Sequence, residues 1–195
     1  GGPYLSVNRR TTMPSELSEA GFHTNPTHNQ RNMNARWKRL EAWTFFWAIL
    51  QHHGIERPPA SIVTGIVTDA ETGKPVNDAE ITLAGQTYTT DGYESLFKKY
   101  SSNPNQLRNG VFFFEDVGIA PGKAAATMTV NAEGYSSYVG EIAPVDTFLT
   151  FADVQLISAT PPMVASTKPD SGATQRIIDP ITITFTRPMD RPTTE

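Results

Sequence analysis

Residues 65–83 read GIVTDAETGKPVNDAEITL, and from this stretch we predict the fold of the middle of the chain. Together with the residues just before it, its first part alternates like a β-strand from Ile62 to Thr68. Residues 69–75 are rich in turn-forming residues, and residues 79–83 form the next predicted strand. The pattern therefore predicts an all-β unit that begins near residue 61.

The same pattern continues downstream, where turn-forming residues separate five more predicted strands. These are Gln86 to Thr90, Val111 to Asp116, Ala125 to Ala132, Ser137 to Ile142 and Phe148 to Leu156. Seven short strands in fewer than a hundred residues favour a β-sandwich. Four apolar side chains are expected to face its core, namely Val76, Ala79, Ile81 and Leu83.

Glycines are expected at the turns of this sandwich. Gly65 and Gly73 are predicted to permit turn geometry, and Gly134 with Tyr135 is predicted to close a hairpin. The polar stretch between Asp91 and Asn109 is long for a hairpin loop, so it is either a binding loop or an insertion. A carbohydrate or calcium site there is disfavoured, because its Asp91, Glu94 and Asn residues lack the ligand spacing of a calcium loop.

One long helix is predicted before the sandwich, in the segment that holds all three Trp residues. Asn34 is the expected N-cap, the helix runs from Ala35 to about His53, and Gly54 is the expected stop. Apolar residues recur along it at helical spacings of three and four: Trp37, Leu40, Trp43, Trp47 and Leu50. We interpret the Trp side chains as a helix face packed on the sheet of its parent domain rather than a sugar-stacking surface.

Upstream of the helix, the sequence predicts two short strands, Tyr4 to Val7 and Met13 to Glu19, with a turn at Gly21. One long helix and two short strands cannot enclose a core around so many aromatic residues. Residues 1–56 are therefore expected to be the last piece of a larger α/β domain that begins upstream.

Two Pro-rich segments mark the expected domain boundaries, near residues 57–60 and 159–162. The predicted units are residues 1–56, a linker over 57–60, a β-sandwich over 61–158 and a third unit over 159–195. The third unit contains too few predicted strands for a stable domain, so it is expected to be incomplete.

The composition is that of a globular protein, and it excludes several functions. Sixteen Lys and Arg against twenty Asp and Glu give a net charge of −4, which disfavours a general nucleic-acid binder. The longest apolar run, Thr44 to Leu50, is far shorter than the roughly 20 residues that span a bilayer, so no transmembrane helix is expected. The absence of Cys excludes disulfides, thiolate zinc sites and cysteine nucleophiles.

Residues 13–26 read MPSELSEAGFHTNP and resemble the C-terminal motif of zinc-dependent N-acetylmuramoyl-L-alanine amidases. That motif reads approximately Pro-Ser-x-Leu-x-Glu-x-Gly-Phe-x-x-Asn-Pro, and eight positions coincide in order and without gaps. The predicted helix after Asn34 is similar to the last helix of that family, which packs against a sheet. Phe22 and Asn25 are expected to shape the turn that presents Glu19 rather than to contact substrate.

The resemblance implies cleavage of the amide bond between the lactyl group of N-acetylmuramic acid and the L-alanine of the stem peptide. Glu19 matches the motif's Glu, to which the family assigns a catalytic role beside the metal, so Glu19 is the candidate general base and acid. The implied cofactor is Zn²⁺, whose two His ligands and one Glu ligand come in that family from segments upstream of the motif. The chain alone is therefore expected to be inactive. Its own histidines are interpreted as surface residues: His23, His28, His52 and His53.

The sandwich resembles a second family, the carboxypeptidase-regulatory-like or prealbumin-type β-sandwich. The resemblance is carried by residues 65–83, 90–92, 112–117 and 130–135. Such modules are accessory, which implies a spacing, stabilising or surface-binding role and no active site.

The third unit is similar to the opening strands of a bacterial Ig-like domain, with predicted strands at Met163 to Thr167 and Ile181 to Phe185. The expected fold class is therefore a multidomain fragment. It comprises the C-terminal piece of an α/β amidase domain (strand plus long helix), an all-β prealbumin-like sandwich and an incomplete Ig-like β segment.

Two functional hypotheses follow from these resemblances. In the first, the chain belongs to an exported bacterial peptidoglycan hydrolase that is extracellular, periplasmic or on the cell surface, because peptidoglycan lies outside the cytoplasm. Its partner is then peptidoglycan and not nucleic acid; the sequence does not indicate an oligomeric state. In the second, the protein is a non-enzymatic cell-surface adhesion or polysaccharide-binding protein in which Glu19 is incidental.

Overall fold

The computed structural model of the protein describes residues 5–19, 21–92, 109–118, 124–145, 149–170, 172–176 and 178–187. Within these ranges three helices are present: α1 (Ser6–Arg9), α2 (Pro26–Asn32) and α3 (Ala35–His52). The same ranges contain ten strands: β1 (Ile62–Asp69), β2 (Glu80–Leu83), β3 (Gln86–Thr89), β4 (Val111–Phe114), β5 (Ala126–Asn131), β6 (Tyr138–Ile142), β7 (Leu149–Phe151), β8 (Val154–Leu156), β9 (Val164–Lys168) and β10 (Thr182–Phe185). Most of the regular structure is therefore β-sheet.

Two four-stranded sheets share one hydrophobic core, which agrees with the predicted β-sandwich. The first sheet has the order β4-β1-β7, with β8 also paired to β1, and the second has the order β3-β2-β5-β6. Strand β1 is antiparallel to β4 and parallel to β7 and β8. The core between the sheets includes the four side chains expected there, all of them buried: Val76, Ala79, Ile81 and Leu83.

The last predicted strand of the sandwich is divided into β7 and β8, because the chain leaves the sheet briefly between them. Ala152 donates its N–H to the carbonyl of Thr64 over 2.9 Å, and the Asp153 carboxylate accepts the N–H of Ile66 over 2.9 Å. A Cβ on Gly65 would lie only 2.5 Å from the carbonyl oxygen of Ala152. The predicted turn role of Gly65 is therefore wrong, since Gly65 lies inside β1 and is required by this close approach.

The other two predicted turn glycines are confirmed. Gly73 has a φ of +66° in the turn after β1, and Gly134 has a φ of +80° between β5 and β6. Both values lie in the left-handed region that glycine adopts without a steric penalty. Tyr135 donates its N–H to the carbonyl of Ala132 over 3.2 Å, which closes the β5–β6 hairpin as predicted.

Strand β4 has both of its faces buried, because the first sheet is covered on two sides. Phe112 and Phe114 point into the core between the sheets, whereas Phe113 joins a second apolar cluster together with α3. The buried members of this second cluster are Leu40, Trp47, Ala60, Ile62 and Phe113, with Trp37, Trp43, Leu50 and Leu149 partly buried against them. The Trp side chains thus belong to a core, as predicted. The predicted packing partner is wrong, because these side chains pack on the first sheet of the sandwich and not on the sheet of the parent domain.

Helix α3 begins and ends where the sequence predicts. The Asn34 side chain accepts hydrogen bonds from the N–H groups of Arg36 and Trp37, which caps the first turn. At the other end Gly54, with a φ of +66°, and Ile55 donate their N–H groups to the carbonyls of Gln51 and Leu50, in a Schellman motif. Among the described residues, no helix combines the length and the apolar character needed to cross a membrane.

The two strands predicted upstream of α3 are not observed, so the prediction of a strand there is wrong. Residues Ser6–Arg9 form α1, and residues 13–19 have no regular secondary structure. A strand needs a pairing partner, and within the described ranges no strand lies N-terminal to Ile62. Helix α2, which was not predicted, occupies part of this region instead.

Strands β9 and β10 of the third unit pair with each other in an antiparallel hairpin. Arg187 forms an ion pair with Glu71, in the turn after β1, and so links this hairpin to the sandwich. The predictions that involve Tyr4, Ala20, Phe148 and the stretch 93–108, including Glu94, lie outside the described residues. The domain boundaries near residues 57–60 and 159–162 stay predictions.

Candidate functional site

Glu19, the candidate general base and acid, lies in the irregular segment that precedes α2. Its side chain is exposed. It makes no hydrogen bond or ion pair with any other residue in the part of the chain that the structure describes. The carboxylate is therefore fully available to water or to a ligand, and it has neither a cation nor a hydrogen-bond donor beside it within this part of the chain.

The turn that follows Glu19 takes its shape from Gly21 and Asn25. Gly21 has a φ of +119°, and a Cβ at this position would collide with the imidazole of His28. Asn25 donates its N–H to the carbonyl of Phe22 over 2.9 Å and accepts the N–H of His28 on its side-chain oxygen over 3.1 Å. Asn25 thus shapes this turn and also caps α2, whose first residue is Pro26. Phe22 contributes its backbone carbonyl, and its side chain is 73% exposed. That this turn presents Glu19 to a substrate stays a prediction.

The motif segment and the C-terminal half of α3 border an open groove of about 710 Å³. Helix α3 contributes apolar side chains to the lining, among them Phe45 and Ile49, and the motif segment contributes the carboxylate of Glu16. Glu19 does not line this groove. The complete lining is Pro14, Ser15, Glu16, Ser18, Phe45, Ala48, Ile49, His52 and His53.

The histidines do not assemble a metal site with the nearby carboxylates. His52 and His53 pack edge to face with ring centroids 5.1 Å apart, and all four His of the chain are exposed, as predicted. Within the described ranges no group of three His, Asp or Glu residues is arranged to hold a metal ion. A catalytic zinc needs three protein ligands. The described residues do not fit such a centre, and we derive no step through zinc from them.

A buried polar contact joins the start of α3 to the base of the 91–109 stretch. The Asn34 side-chain amide donates to the side-chain oxygen of Asn109 over 2.8 Å, and the two residues are 2% and 3% exposed. The carboxylate of Asp91 in turn accepts the N–H groups of Asn109 and Gly110 over 3.1 and 2.9 Å. Asp91 thereby holds the two ends of the stretch together beside the N-terminus of α3.

A second polar contact lies one turn further along α3. The carboxylate of Glu115, directly after β4, accepts hydrogen bonds from Nε of Arg39 and from Nε1 of Trp43, each over 2.8 Å. The second oxygen of Glu115 lies 2.6 Å from Nη2 of Arg39. Sequence reasoning missed this interface. The four consecutive apolar residues at 111–114 were its signal, because a strand with only one buried face alternates.

One carboxyl group of the sandwich has a shifted pKa. The backbone N–H of Thr72, 2.7 Å away, holds the pKa of Asp69 below its ordinary value. Tyr135 donates its hydroxyl to the other oxygen of Asp69 over 2.9 Å, and burial raises the pKa of this phenol. Both contacts fix the turn between β1 and β2, so they are structural and far in sequence from Glu19.

No family model matches the chain, and no curated protein matches it. One similar solved structure is a membrane-associated protein of unknown function from Bacteroides fragilis, with a TM-score of 0.35 and 15% identity over 54% of this chain and 30% of that chain. Another is 3-chlorocatechol 1,2-dioxygenase from Rhodococcus opacus, with a TM-score of 0.34 and 15% identity over 53% of this chain and 62% of that chain. The chain spans less than two thirds of either structure, and neither likeness assigns an activity.

Proposed function

We propose that the chain belongs to a peptidoglycan hydrolase, a zinc-dependent amidase that cleaves the bond between N-acetylmuramic acid and L-alanine. In this proposal residues 1–56 are the C-terminal part of the catalytic domain, and the β-sandwich is an accessory module. The observation that carries this proposal is the motif over residues 13–26, followed by a capped helix at the position where the amidase family has its last helix. The motif segment also lies along α3, as the two elements that border one groove.

The outward side of α3 supports this assignment. Phe45, Phe46 and Ile49 are 44%, 44% and 57% exposed, although they belong to a helix whose other side is buried on the sandwich. Residues 43–50 of α3 are largely apolar on both sides of the helix, and a helical segment of this kind is usually buried on both sides. In the proposed protein, this outward surface contacts the sheet of the amidase domain, as the resemblance implies for the family's last helix.

Glu19 carries the proton in this proposal. It accepts a proton from the attacking water, and it delivers that proton to the nitrogen of L-alanine as the bond between the lactyl carbonyl carbon and that nitrogen breaks. The zinc of the proposed enzyme would be held by residues outside this chain and would supply the activation of water.

The test is an activity assay on the protein encoded by the whole reading frame, with purified peptidoglycan as the substrate. The measured product is the newly formed N-terminus of L-alanine. We expect Glu19→Gln to lower the turnover by about 10²- to 10⁴-fold while the zinc content stays unchanged. The matched control is Glu16→Gln, three residues away in the same segment, which we expect to keep the activity of the wild type.

Two results of this assay would count against the proposal. Equal turnover in the wild type and in Glu19→Gln would remove Glu19 from the mechanism. Binding to peptidoglycan without any release of L-alanine termini would favour the non-enzymatic adhesion or polysaccharide-binding protein. Under either function we propose that the protein is exported, because its substrate or ligand lies outside the cytoplasm.

A further inference from the structure

We infer that the outer face of the first sheet is a docking surface for α3, and that the sandwich is therefore a structural part of the domain to which α3 belongs. This goes beyond the proposed function, in which the sandwich is a separate accessory module. It rests on the proposed function only for the identity of that domain. The occupant of the surface is α3 itself, in the same chain.

The apolar part of the surface includes one large residue from each of two neighbouring strands. Ile62 in β1 and Phe113 in β4 are 0% and 4% exposed, and they pack with Leu40 and Trp47 of α3, which are 6% and 3% exposed. The antiparallel sheets of a sandwich commonly carry polar residues on the solvent face. The large apolar residues here therefore indicate a face that is made to be covered.

The polar part of the surface fixes the position of the helix along the sheet. Asn34 and Asn109 form a buried amide pair, in which Asn34 uses its side-chain nitrogen on Asn109 while its oxygen caps α3. A buried amide is costly when it is left unpaired, so only one register of the helix satisfies both residues. Glu115 adds a second fixed point, because it binds Arg39 and Trp43 together.

The connector between α3 and β1 belongs to the same packed structure. Ile55 closes the Schellman motif by donating its N–H to the carbonyl of Leu50 over 2.9 Å. The guanidinium of Arg57 lies 5.6 Å from the ring centroid of Trp47, and Ala60 is buried in the cluster with Ile62. Contacts of this kind along the connector are not those of a flexible tether between independent domains.

The consequence is that helix α3 depends on the sandwich for its packing. If the sandwich covers α3, a protein cut after residue 57 leaves Leu40 and Trp47 exposed and loses the partners of Asn34 and Arg39. An accessory module would be removed without such a loss. The sandwich also holds the outward side of α3 in a fixed orientation, and with it the groove that the motif segment borders.

The test uses the full chain, because its three Trp residues all lie in α3 and report on the helix alone. Urea unfolding is followed by Trp fluorescence and, in the same samples, by the NMR amide signals of Ile81 and Val130 in the second sheet. We expect the two transitions to coincide, since a single cooperative unit unfolds in one step. Glu115→Gln is expected to lower both midpoints equally, whereas Glu80→Gln, at an exposed position of β2, leaves both unchanged.

A Trp transition that precedes loss of the amide signals would overturn the inference. So would a Glu115→Gln variant in which only the Trp midpoint falls. Phe113→Ala is a second variant, and it is expected to move the two midpoints together or to unfold both parts. None of these measurements depends on catalysis, so failure of this inference is distinguishable from failure of the amidase assignment. A protein that is an active amidase but shows two separate unfolding transitions would refute only the inference that the sandwich and α3 form one structural unit.

Discussion

The motif segment before α3 and the β-sandwich after it differ in how they are held. Residues 13–19 are exposed, without regular structure, and the turn at 21–25 depends on two local hydrogen bonds. The sandwich instead encloses a core to which both of its sheets contribute. Of these two described regions, the one with the chemical motif thus has less structure of its own.

This difference indicates that the stability and the proposed chemistry of the protein lie in separate regions. A catalytic carboxylate needs access to substrate, so exposure of Glu19 suits its proposed role, whereas the sandwich needs dry packing. Helix α3 connects the two regions, since one side borders the motif groove and the other side is buried on the first sheet.

Replacing a Phe by Ala in each of the two regions gives the largest expected difference in stability. Phe112→Ala removes a side chain that is 0% exposed between the sheets, and we expect it to lower the free energy of unfolding by about 3–5 kcal/mol. Phe22→Ala removes a side chain that is 73% exposed in the motif turn, and we expect a change within about 0.5 kcal/mol. Urea titrations of both variants measure the difference. Equal losses would mean that the motif turn is packed as tightly as the sandwich.

A smaller contrast concerns hydrogen bonds made by threonine. Thr90 is 0% exposed, and its hydroxyl accepts the N–H of Ala79 over 2.9 Å and donates to the carbonyl of Val76 over 3.0 Å. Thr90→Val keeps the shape but leaves both groups buried and unpaired, so we expect a loss of about 2–4 kcal/mol.

The matched control for Thr90→Val is Thr11→Val, near the motif segment. The Thr11 hydroxyl accepts the N–H of Met13 over 3.1 Å at an exposed position. Water replaces this bond, so we expect thermal unfolding to change little. A loss as large as that of Thr90→Val would contradict the view that this segment is held only by local, solvated contacts.

The smallest expected effect is a pH dependence of the sandwich. The pKa of Asp69 is lowered in the folded state, chiefly by the backbone N–H of Thr72, so the charged carboxylate stabilises the fold above the unfolded pKa of about 3.9. This contribution is lost as the pH falls through the lower, folded pKa. Asp69→Asn is therefore expected to have a lower free energy of unfolding than the wild type at pH 7. This difference in free energy should become smaller below about pH 4.

Glu19→Gln serves as the control for this pH experiment, because Glu19 is exposed and forms no hydrogen bond or ion pair with another described residue. Its unfolding curve is expected to superimpose on that of the wild type at both pH values. If the difference in unfolding free energy between wild type and Asp69→Asn stays constant with pH, the effect comes from the shape of the turn rather than from the charge of Asp69.

The strands of the sandwich were predictable because alternation and turn residues are local signals. The break between β7 and β8 was not, since it depends on the approach of Ala152 to Gly65 from a distant part of the chain. The bounds of α3 were likewise visible in Asn34 and Gly54. Its packing partner was missed, although the apolar run at 111–114 pointed to a second covered face.

The motif segment was the least predictable region. Residues 13–19 were predicted as a strand from a short alternation, but a strand forms only with a partner, and none is paired to this segment in the described structure. Helix α2 was missed although Asn25 followed by Pro26 is a common helix start. The role of Glu19 came from a resemblance in sequence, and its local geometry neither adds to nor replaces that resemblance.

Hydrogen exchange of the full chain tests most directly whether α3 belongs with the sandwich while the motif segment does not. We predict that the amides of α3 exchange with the same opening free energy as those of β1 and β4, because all three share one apolar cluster. The amides of residues 11–19 and 21–25 should exchange far faster. Exchange of α3 at the rate of the motif segment, with the strands still protected, would contradict this assignment.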